Sequence, residues 1–120
     1  MSKKIMLVDD AAFMRMMIKN TLKQNGYTDI IEAKDGEEAI ELFKQENPDL
    51  TLLDITMPNI GGLEALREIK NINKECKVIM CSAMGQENMV VEALKSGAED
   101  FIVKPFKPDR IMKTISNILG

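Results

Sequence analysis

The sequence predicts an α/β fold in which one doubly wound domain, residues 1–120, carries five parallel strands with helices on both faces. Two observations lead there. Short apolar runs alternate five times with segments of helical period, the signature of repeated βα units and of a parallel sheet covered on both sides. A chain of 120 residues also suits one domain, long enough to bury roughly two thirds of its unfolded surface in a single core.

The elements follow in order. Ile5-Met6-Leu7-Val8 places a strand near residues 4–9, and Met14, Met17, Ile18, Thr21 and Leu22 then share one helical face that should stop at Gly26. A second strand is expected at 29–33. Asp35-Gly36-Glu37-Glu38 supplies starting chemistry for the next helix, whose apolar face is Ala39, Ile40 and Phe43. Strands at 50–54, 77–82 and 100–104 complete the sheet, each followed by a helix. Gly97 marks the end of the fourth helix. Pro108-Asp109 opens the fifth, on which Ile111, Met112, Ile115, Ile118 and Leu119 share one face. Right-handed crossovers make every strand point the same way, so all the carboxyl ends emerge at one edge, where open sheets bind ligands.

Composition narrows the function. The net charge of −3 comes from mixed acids and bases without a long run of either sign, which argues against a nucleic-acid partner. No apolar run approaches the ~18 residues of a membrane span, and Met-Ser-Lys-Lys leads into a stretch too short for a signal peptide. A cytoplasmic protein is expected, with no membrane partner. Cys76 and Cys81 bracket one strand, too far apart to pair, and read as packing residues. The chain has no histidine, which removes His-based acid catalysis, His-containing triads and His metal ligands. Hard cations held by oxygen remain possible.

The strand ends carry the chemistry. Asp9-Asp10 follow the first apolar run, Asp54 closes the third, Ser82 the fourth, and Lys104 follows the fifth. Asp10 alone reads as a cap for the helix beginning at Ala11, but a cap does not require a second acid beside it. An acid finishing a buried central strand is costly unless it is paired, hydrated or bound to a cation. A divalent ion keeps clustered carboxylates ionised, and Mg²⁺ suits a site with few protein oxygens and several waters. Ser82 and Lys104 add a hydroxyl donor and a point charge for phosphate oxygens.

Asp9-Asp10, Asp54-Ile-Thr-Met-Pro58, Gly62, Ser82-Ala83 and Lys104-Pro105 resemble the receiver domain of two-component response regulators, over essentially the whole chain. Asp9 to Met17, Cys81 to Gly85 and Lys104-Pro-Phe106 are more narrowly similar to the stand-alone chemotaxis regulators of that family. The resemblance implies the flavodoxin-like strand order 2-1-3-4-5, for which the chemotaxis receiver is itself a standard example. It also implies that Asp54 accepts phosphate from a phosphohistidine on a sensor kinase. Asp10 and Asp54 would then ligate Mg²⁺ directly, Asp9 largely through water, and the backbone carbonyl of Thr56 would add an oxygen. Lys104 would pair with the phosphoryl group, Ser82 would hydrogen-bond it, and Phe101 would be the switch aromatic. The Lys104–Pro105 bond is cis in many relatives. Expected partners are a chemotaxis histidine kinase, the flagellar motor switch and a phosphatase, met by a monomer that is not an enzyme in the ordinary sense.

Some positions depart from the family pattern. Ser82 replaces the more usual Thr, Phe101 lacks a tyrosine hydroxyl, and Gly61 stands where an acid or amide often precedes Gly62. Thr56 and Met84 offer no carboxamide or carboxylate to orient a water, so slow spontaneous loss of phosphate is expected. Of the ten methionines, most read as core packing, while Met16, Met84 and Met89 are candidates for exposure. A phosphorelay carrier would use the same Asp54. An aspartyl phosphohydrolase of the haloacid dehalogenase type would need a second acid two positions later, where Thr56 stands.

Overall fold

Each apolar run becomes a strand and each segment of helical period a helix. The computed structural model describes residues 3–57 and 59–120. The first two residues and Pro58 of the Asp54–Pro58 motif lie outside the described residues. The elements are β1 (Lys4–Val8), α1 (Ala12–Gln24), β2 (Asp29–Ala33), α2 (Gly36–Glu46), β3 (Leu50–Asp54), α3 (Gly62–Ile72), β4 (Val78–Ser82), α4 (Glu87–Lys95), β5 (Asp100–Val103) and α5 (Pro108–Leu119). The strands form one parallel sheet of order β2-β1-β3-β4-β5, the flavodoxin-like arrangement. Asp9, Lys77 and Lys104 fall just outside the paired ladder, so three strands are one residue shorter than expected.

Why the central strands carry apolar residues on both faces follows from the two cores. Alternation along β1 sends Ile5 and Leu7 to one face and Met6 and Val8 to the other, and all four are buried. Ile5, Leu7, Leu50, Leu52 and Ile79 meet Ile18 and Leu22 of α1 and Ile111 and Ile115 of α5. Met6, Leu53 and Met80 meet Phe43 of α2, Leu66 and Ile69 of α3, and Val90 of α4. Truncating a fully buried aliphatic side chain in such a layer typically costs about 2–5 kcal/mol.

Local chemistry sets the helix limits. Asp35 caps α2 by accepting from the Glu38 N–H at 2.8 Å, while the Glu38 side chain accepts from the Lys34 N–H. Pro108 occupies the first turn of α5. Gly97, beyond α4, has φ +109°, a conformation that side-chain-bearing residues rarely adopt. One expectation fails. Met17 is not on the core face of α1 but 36% exposed, beside Phe13 and Met16. The helix packs through Ile18 and Leu22, and one residue corresponds to about 100° of rotation, which carries Met17 to the flank. Met16, Met84 and Met89 are exposed as expected, and Cys76 and Cys81 are free and buried.

Among the described residues, the Thr51 hydroxyl is buried without a protein partner, on the β3 face that also presents Leu53. A buried donor left unmatched costs about 1–3 kcal/mol, and an isosteric apolar replacement removes that cost. Thr51→Val is therefore expected to raise the thermal midpoint by several degrees, measured by circular dichroism. An unchanged or lowered midpoint would contradict this account of Thr51.

Candidate functional site

Register builds the site. Val8 of β1 lies opposite Leu53 of β3, so the next residues, Asp9 and Asp54, reach the carboxyl edge of the sheet together. Asp54 pairs with Cys81, which sets Ser82 beside it on β4. The Lys104 N–H donates to the Ser82 carbonyl at 2.7 Å, placing the lysine just beyond β5. Its ammonium stands 3.2 Å from Asp9 Oδ2 and 3.4 Å from Asp54 Oδ2. Carboxylate oxygens of Asp9, Asp10 and Asp54 all lie within 4.8 Å of one another. The Lys104–Pro105 peptide is cis.

Neighbouring groups aim these acids. Asp9 is buried, and its Oδ1 accepts from the Ala11 N–H at 2.9 Å, so it, and not Asp10, serves the start of α1. The cap reading of Asp10 is thereby excluded, and its carboxylate is exposed at the mouth. Arg15 donates from Nη1 to the Asp9 carbonyl at 2.6 Å and from Nε to Glu32 of β2 at 3.0 Å, while Lys19 holds the other Glu32 oxygen. Burial pushes the Glu32 carboxyl up, but these two cations outweigh it and bring it below the usual range. On the far side, the Gly62 N–H donates to the Ile55 carbonyl at 2.8 Å. A Cβ on Gly62 would meet the Asp54 carbonyl oxygen and stand 2.6 Å from Ile55 Cα, so only glycine lets α3 start this close to Asp54.

Electrostatically the mouth is under load. Burial, then the charge of Asp9, raise the Asp54 carboxyl above the ordinary carboxylate range despite Lys104 and the Thr56 backbone. Burial would lower Lys104, but Asp54 and Asp9 more than reverse this, so the ammonium stays charged. The Cys81 thiol is pushed far up, chiefly by burial, and is inert as a nucleophile. The donor set, three carboxylates and no nitrogen or sulfur, suits a hard divalent cation and is compatible with the Mg²⁺ site of receiver domains.

The remaining expected residues surround this centre. Ser82 is buried, Phe101 is half-buried against the three-helix core, and Thr56 is exposed. Sequence reasoning misses two contributors. Arg15 carries a usable signal in its place on the first turns of α1, shortly after two acids. Gln86 carries none: its carboxamide oxygen accepts from the Ala83 N–H at 2.7 Å and its nitrogen donates to the Thr56 hydroxyl. A carboxamide thus stands beside Thr56, although neither Thr56 nor Met84 supplies one. An apolar groove of about 260 Å³ adjoins the site, lined by Ser82, Met84, Val90, Leu94, Phe101 and Val103 among others.

Comparison with known proteins agrees. A family model described as the response regulator receiver domain matches residues 5–116. The chain is 52% identical to the chemotaxis protein CheY of Bacillus subtilis over 120 residues, covering all of both chains. It is 49% identical to CheY of Thermotoga maritima over 118 residues, 98% of each. The solved CheX–CheY–BeF3–Mg²⁺ complex of Borrelia burgdorferi contains a chain similar at a TM-score of 0.93 and 34% identity, covering 98% of this chain and 90% of that one.

Because the Asp54 carboxyl is raised, its ionisation opposes folding: the penalty is absent below the unfolded value near 3.8 and complete above the folded one. Asp54→Asn keeps the shape and removes the charge. Without divalent cations at neutral pH it is expected to stabilise the fold, with the difference shrinking as pH falls toward 4. Millimolar Mg²⁺ should stabilise the wild type more than the variant. Denaturant titrations across pH, with and without Mg²⁺, check both signs.

Proposed function

The chain belongs to the response regulator receiver family, and on that premise we propose that it is a phosphorylation-controlled regulator of chemotaxis that accepts phosphate on Asp54 and then binds the flagellar motor switch. Its likeness to CheY along its whole length is consistent with chemotaxis signalling. The observation that carries the proposal is the Lys104 ammonium lying across Asp9 and Asp54 inside a three-acid cluster. A cation already poised there meets the oxygens of an incoming phosphoryl group.

In the proposed reaction an Asp54 oxygen attacks the phosphorus of a kinase phosphohistidine. The P–N bond breaks, and the imidazole leaves with the electron pair and takes up a proton. Asp10, Asp54 and the Thr56 carbonyl would hold Mg²⁺ directly and Asp9 largely through water, and the ion would neutralise charge on the transferred group. Lys104 pairs with a phosphoryl oxygen and Ser82 donates to another. The protein promotes phosphoryl transfer only to and from its own Asp54, in the cytoplasm. With Thr56 two positions on, a phosphohydrolase general acid has no side chain to serve it.

Output follows from the groove beside the site. Ser82 and Phe101 both line it, so drawing Ser82 toward a phosphoryl group and Phe101 inward changes its shape. Val91, Leu94 and Val103 are exposed along this side, an apolar surface suited to a short peptide of the motor switch. The Borrelia relative was solved in a complex with CheX, BeF3 and Mg²⁺, which supports a protein partner for this chain as well.

Two measurements test this. Mass spectrometry after treatment with acetyl phosphate and Mg²⁺ should show one phosphate on the wild type and none on Asp54→Asn; equal labelling of the variant would refute the acceptor. Beryllofluoride with Mg²⁺ should tighten binding of a motor-switch peptide about five- to 100-fold, the ordinary range of coupling between sites. Ser82→Ala should lose most of that gain, read by fluorescence titration.

A further inference from the structure

Gln86 is the residue before α4, yet its side chain makes no cap bond to its own helix. It turns back across the mouth instead. Its carboxamide oxygen accepts from the Ala83 N–H at 2.7 Å and its nitrogen donates to the Thr56 hydroxyl. Ala83 follows Ser82 at the end of β4, and Thr56 lies two residues beyond Asp54. One side chain therefore spans the two loops that flank the proposed phosphoacceptor. Ala83, Met84 and Gly85 are exposed, Met84 at 82%. Among the described residues, the Gln86–Thr56 bond is the only side-chain hydrogen bond joining residues 83–86 to the loop after β3.

We propose that Gln86 is a resting-state latch: its carboxamide occupies the Ala83 amide and ties the β4–α4 loop to Thr56 until a phosphoryl group on Asp54 displaces it. This rests on Asp54 being the phosphoacceptor. The chemistry is competition for one donor. A phosphoryl oxygen carries charge and is a stronger acceptor than a carboxamide carbonyl, so it wins the Ala83 N–H once it arrives. Once that bond is lost, the single remaining contact to the exposed Thr56 hydroxyl exchanges with water and Gln86 lets go of Thr56 as well. The loop bearing Ser82 and Met84 is then free to move, and both residues line the apolar groove. Gln86 is a positioning residue that opposes the activated state, and its removal favours that state.

The test uses beryllofluoride at saturating Mg²⁺ as the phosphoryl probe. Gln86→Ala removes both bonds and should bind it about three- to tenfold more tightly than the wild type, the scale of one net hydrogen bond in an exposed setting. Gln86→Met keeps the length and cover of the side chain without its bonds and should behave like Gln86→Ala. In the wild type, the probe should move the Gln86 side-chain amide resonances to those of a solvated carboxamide. Equal or weaker binding by Gln86→Ala overturns the latch, as do wild-type affinity in Gln86→Met or unmoved Gln86 resonances. Failure of the wild type to bind the probe at all overturns both the latch and the phosphoacceptor reading, whereas the other outcomes leave the latter standing.

Discussion

Three carboxylates and one ammonium share the carboxyl edge of a sheet whose strands all point the same way, and their balance governs the site. Two like charges no more than 4.8 Å apart repel by at least about 3 kcal/mol at an effective dielectric of ~20, while an ammonium at 3.2 and 3.4 Å attracts each carboxylate by about 5. Lys104 therefore offsets the repulsion between Asp9 and Asp54. It leaves two negative charges uncompensated, the charge that one divalent cation neutralises. A phosphoryl group on Asp54 would restore the need for positive charge, and the lysine is already placed where its oxygens would arrive.

Only a rigid scaffold can hold such a centre in a state its own charges oppose. The two apolar layers do this by burying both faces of the central strands, so Val8 and Leu53 cannot shift without opening the core beneath Asp9 and Asp54. Arg15 extends the scaffold outward, tying the backbone of Asp9 to Glu32 on the neighbouring strand. Its effect on the site runs through geometry, since it bonds the Asp9 carbonyl and not the carboxylate. Stability and function are thus separated in space: the strand interiors supply the first, and the residues at and just past the strand ends supply the second.

The five strands, the sheet order and the acidic cluster are legible because each rests on short-range pattern or on family motifs. Apolar runs mark the strands, and Asp35 and Gly97 mark helix limits through local backbone chemistry that tertiary contacts do not override. Met17 is misplaced because period alone does not say where the centre of a helix face lies; packing against α5 rotates the seam toward Ile18 and Leu22. Asp10 looks like a cap because an acid before a helix usually is one, yet Asp9 reaches the Ala11 amide instead. Gln86 is invisible for a different reason. Its bond to Thr56 joins residues 30 positions apart, and no local pattern encodes where an exposed carboxamide turns.

The two loops beside Asp54 are unequally free, and this decides where a change in the site can travel. After β3, Gly62 lies so close to the Asp54 carbonyl and Ile55 that no Cβ fits, and its N–H is bonded back to Ile55. That side has little room to move. After β4, residues 83–85 are exposed and carry no core side chain, while Gly85 takes φ +92° at the turn into α4. Ser82 sits at the junction, buried against the core and bonded through its carbonyl to Lys104. New charge on Asp54 thus acts on one fixed wall and one yielding wall. The yielding wall leads to α4 and Phe101, which border the apolar groove, so on the proposed function the asymmetry of the loops would direct output toward that groove.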